Sequence, residues 1–338
     1  MPAHSKKQLN QIKTKSMHTT EDIIKMANEA VSQIHYNGEP HNLYDPIRYI
    51  LSIGGKRVRP ALMLMAYNLY RDDIESIMNN AMGLEVYHNF TLLHDDLMDK
   101  SDLRRGNPTV HKRWNENTAI LSGDTMLIMA YKLFSQGKQC SEATKAFIDA
   151  TEGVCEGQQY DMDFEKRDDV TEDDYMNMIR LKTSLLLGYA VKIGALLGGA
   201  DKEDADNLYA FGEKMGLAYQ LQDDLLDVYG DTAQFKKKLG ADIVDNKKTM
   251  LLIKAYDLAG AEMKEELDKW IKAETFDAEK KIAAVTRIYN ALGIPSLIHK
   301  RIEELFNESL KSLNAVKVED GKKTELKKFA DMMLGREY

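Results

Sequence analysis

Apolar residues recur at helical spacing through the most informative parts of the chain. Val86, Phe90, Leu93 and Leu97 mark one stripe, and Ala218, Leu221, Leu225 and Val228 another. Spacings of three and four put each set on one face of a helix, so both segments are predicted to be amphipathic helices. No alternating strand pattern is evident. The chain has 6 prolines, and none falls between Pro108 and Pro295. That long interval is rich in Leu, Met, Ala, Lys and Glu, the composition of helices joined by short turns. Punctuation falls at Gly38-Glu39-Pro40, Gly54-Gly55, Gly106-Asn107-Pro108, Gly230 and Gly240, and Pro60 suits the first turn of a new helix. No Pro/Ser-rich linker divides the chain. The expectation is a flexible segment over residues 1–20, then a single all-α domain over 21–338, a large helical bundle. From Ala261 onward Lys and Glu at helical spacing read as solvated helix faces.

Composition narrows the classes. With 338 residues, 43% of them hydrophobic, the chain is long enough to bury a large core and enclose a cavity. Its net charge, 46 minus 54 or -8, and the lack of a dominant basic tract argue against nucleic-acid binding. Leu185 to Ala200 is the longest apolar run, broken by Lys192 and rich in Gly and Ala; it reads as a buried helix, with no integral membrane association. The N-terminal residues show no apolar secretion signal. Cys140 and Cys155 have no CxxC spacing, so a reducing, cytoplasmic setting is expected.

The candidate chemistry lies in two DDxxD patterns, Asp95-Asp96-Leu97-Met98-Asp99 and Asp223-Asp224-Leu225-Leu226-Asp227. In a helix Asp95 neighbours Asp99 and Asp223 neighbours Asp227, and like charges at that spacing repel. A divalent cation reverses the sign of that interaction. Oxygen ligands without a Cys or His cluster favour a hard ion, and Mg²⁺ commonly takes one or two carboxylates together with substrate phosphates. One such pattern could simply face solvent; two in matching apolar contexts argue for a paired metal site. His88, seven residues before Asp95, shares its stripe, as Gln220 shares that of Asp227. On spacing, His88 reads equally as core or site.

Cations accompany each cluster. Lys56, Arg57 and Arg59 sit in Gly54-Gly55-Lys56-Arg57-Val58-Arg59-Pro60, and Arg104 and Arg105 follow the first cluster. Lys236, Lys237, Lys238, Lys247 and Lys248 follow the second, and Lys182 stands beside the apolar run. Guanidinium forks match phosphate oxygens, so a diphosphate ligand fits, although Arg104 and Arg105 could instead form surface pairs with Asp102.

Together these residues closely resemble the trans-isoprenyl diphosphate synthases, the polyprenyl synthase family, from about residue 45 to residue 250. The resemblance implies an all-α fold around a deep apolar cavity, generally as a homodimer, joining isopentenyl diphosphate to an allylic diphosphate (dimethylallyl, geranyl or farnesyl). It implies three Mg²⁺ per active site, held by Asp95, Asp96, Asp99, Asp223, Asp224 and Asp227. Lys56, Arg59, His88 and Arg105 match the isopentenyl diphosphate site. Arg104, Lys182, Gln220, Lys247 and either Lys237 or Lys238 match positions that bind the allylic diphosphate, and Lys182, Thr183 and Gln220 match those that stabilise its developing charge. Gly157-Gln158-Gln159-Tyr160-Asp161 resembles a further family motif with a supporting role. Phe90 and Thr91 match the chain-length floor. Spacing puts Thr91 near the Asp95 stripe and Phe90 about 140° away, so only the resemblance places Phe90 at the cavity. An aromatic followed by a small residue resembles a short-chain enzyme making geranylgeranyl diphosphate, with farnesyl diphosphate the close alternative. Two readings of other classes compete. A terpene cyclase is disfavoured by the Gly54–Pro60 motif and the second full DDxxD. An inactive partner subunit of a heteromeric synthase predicts lost charges that this chain retains.

Overall fold

The protein is seen as a computed structural model that describes residues 18–34, 38–230 and 239–335. Apart from one two-stranded ribbon, its regular elements are helical. The N-terminal third contains α1 (Thr20–Ser32), α2 (His41–Ser52), α3 (Val58–Asn68) and α4 (Met78–Met98). Then come the ribbon, β1 (Leu103–Arg104) with β2 (Asn107–Pro108), and α5 (Val110–Arg113), α6 (Glu116–Gln136), α7 (Ser141–Phe164) and α8 (Glu172–Ile179). A π-helical turn, Arg180–Ser184, leads into α9 (Leu185–Gly198), followed by α10 (Lys202–Tyr229), α11 (Ala241–Val244) and α12 (Met250–Leu258). The chain ends with α13 (Ala261–Ile271), α14 (Ala278–Ala291), α15 (Ile294–Ala315) and α16 (Thr324–Met333).

Local chemistry sets the helix boundaries. Thr19 and Asp22 form a reciprocal capping box on α1, and Thr171 and Asp174 do the same for α8. Asn115, Asp201 and Asp277 cap α6, α10 and α14 with side-chain oxygens. Pro60 does lie in the first turn of α3, where its missing N–H costs nothing. Of the segment expected to be flexible, residues 1–17 lie outside the described residues, and its last residue is anchored. Thr20 is buried, and both its backbone N–H and its hydroxyl donate to Glu325 Oε2 at 2.8 Å, tying α1 to α16.

The central packing is α4 along α6, α3 along α9, α9 along α10 and α10 along α15. Their buried faces belong to one continuous apolar cluster. The run Glu172–Gly198 is long and apolar enough to cross a membrane, but 67% of its window is buried inside the fold, so it is a core element. The C-terminal helices also contribute more than solvated faces: Ile302, Leu305, Phe306 and Leu313 of α15 are buried, as are Lys281 and Lys323.

The ribbon was not legible as a strand pair because each strand has only two residues. Its signal is the turn: Arg105 and Gly106 have φ of +54° and +79°, the left-handed pair that tight hairpins require. This turn sends Arg104 and Arg105 back toward the end of α4.

Candidate active site

The six aspartates of the two clusters occupy different environments. On α4, Asp96 is buried and gripped by Arg104, whose Nε lies 3.0 and 3.2 Å from its two carboxylate oxygens and whose Nη2 lies 2.7 Å from Oδ1. On α10, Asp224 accepts from Gln220 Nε2 at 2.9 Å and from the Tyr175 hydroxyl. Burial, followed by repulsion from Asp242, pushes Asp224 up to about 7. The middle carboxylate of each cluster is therefore occupied by protein donors. Arg104 does not pair with Asp102, which takes Lys112 instead at 2.8 Å.

The outer carboxylates are more open. Asp95 Oδ1 is buried and accepts no well-aligned hydrogen bond, although Lys182 Nζ stands 3.2 Å away. Asp99 reaches solvent at the C-terminus of α4. It still lies among enough protein for desolvation, and then Asp95, to raise it to about 6. Asp223 is exposed. Asp227 accepts the Asp242 N–H at 3.0 Å, joining the end of α10 to α11.

Lys182 and Lys247 bring the first cluster together with Asp161 and Asp242. Lys182 sits on the π-helical turn, 2.6 Å from Asp161 Oδ2 as well as 3.2 Å from Asp95. Burial alone would lower its pKa, but Asp95 and Asp161 outweigh that and raise it. Lys247, 3.8 Å from Asp242, is likewise raised against its burial, by Asp242 first and then Asp161, Asp99 and Asp95. One ammonium thus feels the Asp95–Asp99 cluster and the carboxylate seated beside Asp227. Beside them Thr183 Oγ1 donates to Gln220 Oε1 at 2.9 Å while the Gln220 amide donates to Asp224, so both ends of the Gln220 side chain are fixed. Gln220 meets Asp224 one turn away, not the Asp227 with which it shares a sequence stripe.

The π turn is held by close backbone approaches. A Cβ on Gly157 would lie 2.3 Å from Lys182 N, and one on Gly216 would lie 2.7 Å from Ser184 Cα. Glycine at these two positions lets α7 and α10 clasp the turn that presents Lys182 and Thr183.

A second, cationic group lies where α3, α4 and the ribbon meet. Arg59 Nη1 donates to His88 Nε2 at 3.1 Å. A guanidinium cannot accept, so the other ring nitrogen of His88 carries the proton. Burial first, and then Arg59, Arg105, Arg104 and Arg57, holds the His88 pKa well below the usual value, leaving the ring neutral. Arg59 and Arg105 are also lowered, chiefly by burial, with Arg105 acting against Arg59, and Arg104 and Arg57 acting against Arg105. Arg59 Nε is buried without a hydrogen-bond partner. Gly55 admits the Arg105 guanidinium, which would come within 2.8 Å of a Cβ there. Lys56 is exposed at the edge of this group. Crowded cations with an unfilled donor suit an anionic ligand.

Arg57 is different from its neighbours. With φ of +51° it turns inward, pairs with buried Glu85 at 2.6 Å, and donates to Asn28 Oδ1 and Leu51 O. Its role is to hold the Gly54–Pro60 loop.

Phe90 is buried against Tyr87 and His94, at ring separations of 5.5 and 4.8 Å, and Thr91 Oγ1 donates to His88 O at 2.8 Å. Lys237 and Lys238 lie outside the described residues. A cavity of about 540 Å³ between the end of α10 and α14, lined by Val228, Leu239, Ile282 and Thr286 among others, shares no lining residue with either charged group. Sequence reasoning missed Tyr175, an aromatic with no spacing signal, and Asp242, which the fold brings to Asp227. It gave Asp161 only a supporting role, whereas its carboxylate contacts Lys182 directly.

Among the described residues no three His, Cys, Asp or Glu side chains form a ready metal cage. The donor set still fits Mg²⁺. Asp95, whose Oδ1 meets no aligned donor and has only the Lys182 ammonium beside it, Asp99 and Asp223 are hard ligands on two helices, and Mg²⁺ completes its shell with water and phosphate oxygens. These residues would bind the metal together with a diphosphate.

A family description, polyprenyl synthetase, matches residues 40–289, and the chain belongs to that family. It is 35% identical over 335 residues to a geranylgeranyl diphosphate synthase of Methanosarcina mazei, covering 98% of each chain. It is also 37% identical to a geranylfarnesyl diphosphate synthase of Natronomonas pharaonis, over 69% of this chain and 74% of that one. A crystal structure of a geranylgeranyl pyrophosphate synthase superposes with TM-score 0.90 at 40% identity, covering 95% of this chain and all of the other. The fold is that of the isoprenyl synthases, and the protein is a trans-prenyltransferase.

Proposed function

We propose that the protein condenses isopentenyl diphosphate with an allylic diphosphate, releasing diphosphate and giving a short all-trans product, geranylgeranyl diphosphate. The observation that carries this reading is the pair of unlike charged groups. Arg59, Arg105, Lys56 and neutral His88 form a cationic site for one diphosphate. The carboxylates Asp95, Asp99 and Asp223, with Lys182 and Lys247, suit a second that arrives with Mg²⁺. A terpene cyclase has no use for the first group.

Bound Mg²⁺ would supply charge neutralisation to the departing diphosphate. Lys182 and Lys247 add fixed positive charge beside that leaving group, where partial burial strengthens it. Arg104 keeps Asp96 from competing and also stands 3.8 Å from Asp95. As the allylic C–O bond breaks, the Thr183 hydroxyl oxygen and the Gln220 carbonyl, each fixed by its hydrogen bond, present negative dipole ends to the carbocation. Arg59, Arg105 and His88 hold isopentenyl diphosphate so that its double bond attacks the cation carbon. The proton then lost passes to the released diphosphate. Water must be excluded, because it would capture the cation.

Relatives named for both geranylgeranyl and geranylfarnesyl products support a short chain, and the bulky Phe90, five residues before Asp95 on α4, supports the shorter of the two. A homodimer is supported by apolar residues exposed on α6 and α7, including Leu121 (59% exposed), Ile128 (69%) and Ile148 (46%). A single domain and a cytoplasmic location complete the proposal. The test is a radiolabelled assay with each allylic starter and Mg²⁺, with and without isopentenyl diphosphate. Prenyl diphosphate only in its presence is expected, and hydrocarbon in its absence would refute the reading. Phe90→Ala is expected to lengthen the products; unchanged chain length would remove Phe90 from the floor.

A further inference from the structure

Lys281 on α14 is fully covered, with 0% exposure, and no carboxylate stands within ion-pair distance among the described residues. Its ammonium donates to neutral acceptors: the last carbonyl of α11, Val244 O, at 3.0 Å, and Asn246 Oδ1 at 2.6 Å. The Phe276 ring covers it, with its centroid 4.0 Å away. Burying an ammonium is costly unless its hydrogen bonds are made, so a lysine placed here needs a reason beyond filling space.

The reason lies in what it grips. Asn246 has φ of +55°, a left-handed conformation that Asn tolerates better than most residues. Lys281 holds its side-chain oxygen, and its amide donates to Ile271 O at 3.0 Å. The next residue is Lys247. Its backbone N–H donates to Asp242 O at 2.9 Å, and its carbonyl accepts from Thr249 N at 2.8 Å. Asp242 in turn donates its N–H to Asp227. The turn between α11 and α12 is thus pinned from below by Lys281 and from the side by Asp227.

We propose that Lys281 is a positioning residue for Lys247, fixing the Val244–Asn246 turn so that the Lys247 ammonium stays beside Asp242 and toward the carboxylates of the first cluster. This rests on the proposed function in one respect: Lys247 then serves the allylic diphosphate, and not isopentenyl diphosphate.

The test compares wild type, Lys281→Met and Lys281→Arg as full-length proteins. Losing a charged hydrogen bond predicts that Lys281→Met raises KM for geranyl diphosphate about tenfold. KM for isopentenyl diphosphate should stay within about twofold, Lys281→Arg should recover part of the loss, and Lys247→Ala with Lys281→Met should be no worse than Lys247→Ala alone. Equal changes in both KM values, a fall in kcat alone, or additive effects in the double variant would overturn the proposal. Asn246→Gly keeps the left-handed backbone while deleting the gripped amide, and should give the same KM split if Lys281→Met fails to fold. Calorimetric titration with inorganic diphosphate and Mg²⁺ reads the same loss without catalysis. A wild type that binds diphosphate but condenses nothing would refute the proposed function, and weaker binding by Lys281→Met would still support this positioning role.

Discussion

Replacing Gly157 with Ala tests whether the π turn positions Lys182. The added Cβ would lie 2.3 Å from Lys182 N and 2.7 Å from both Leu181 C and Lys182 Cα, all backbone atoms that cannot rotate away. Reaching even the tight separation of 3.4 Å requires a retreat of 3.4 minus 2.3, about 1.1 Å. Overpacking of this kind costs about 1–3 kcal/mol. The turn cannot retreat freely, because Gly216 already brings α10 against Ser184 on its other side. A shift of about 1 Å at a charged group beside the leaving group can cost about 10²-fold in rate. Gly157→Ala should therefore unfold a few degrees lower in a circular dichroism melt, and its turnover should fall by about that factor even well below the melting temperature. Wild-type turnover in a variant with a lowered melting temperature would show that the clasp serves stability alone. Unchanged turnover and melting would show that the clasp is absent.

Three further outcomes follow from the charges. Asp99, raised to about 6, holds its proton more tightly folded than unfolded, so metal-free protein loses stability from this group as pH rises from about 4 through 6. Asp99→Asn should accordingly melt higher than wild type at pH 8 without metal and match it at pH 4; the reverse order would reverse the assigned direction. Glu85→Ala strands the buried Arg57 guanidinium and should cost about 3–5 kcal/mol in denaturant unfolding, with a loss below about 1 kcal/mol showing that water or another group pairs it. The His88 ring, depressed by burial and four arginines, should show no NMR titration between pH 5.5 and 8.5 in the free protein, and a midpoint near its ordinary value would remove the neutral-acceptor assignment.

Much of the candidate site was readable from the chain because metal and diphosphate chemistry would need particular residue types at particular helical intervals. The DDxxD patterns, the Gly54–Pro60 loop, Arg104-Arg105 and Lys182-Thr183 all carry such intervals. Spacing treated the six aspartates alike. Only packing separates Asp96 and Asp224, whose oxygens already hold protein donors, from Asp95, Asp99 and Asp223. Spacing also gave no way to tell Arg57, turned into the core toward Glu85, from Arg59, two residues later and facing His88.

The sequence by itself determined the helical class, the core faces of α4 and α10, and the identity of the charged groups, because periodicity and residue chemistry are local properties. Tertiary structure decided which of those groups are free. Lys182 is presented by a π turn that two distant glycines admit, and the turn leading into Lys247 is gripped at Val244 and Asn246 by the buried Lys281 of a later helix. Such pairings depend on how separate helices close on one another, and distance along the chain carries no record of that.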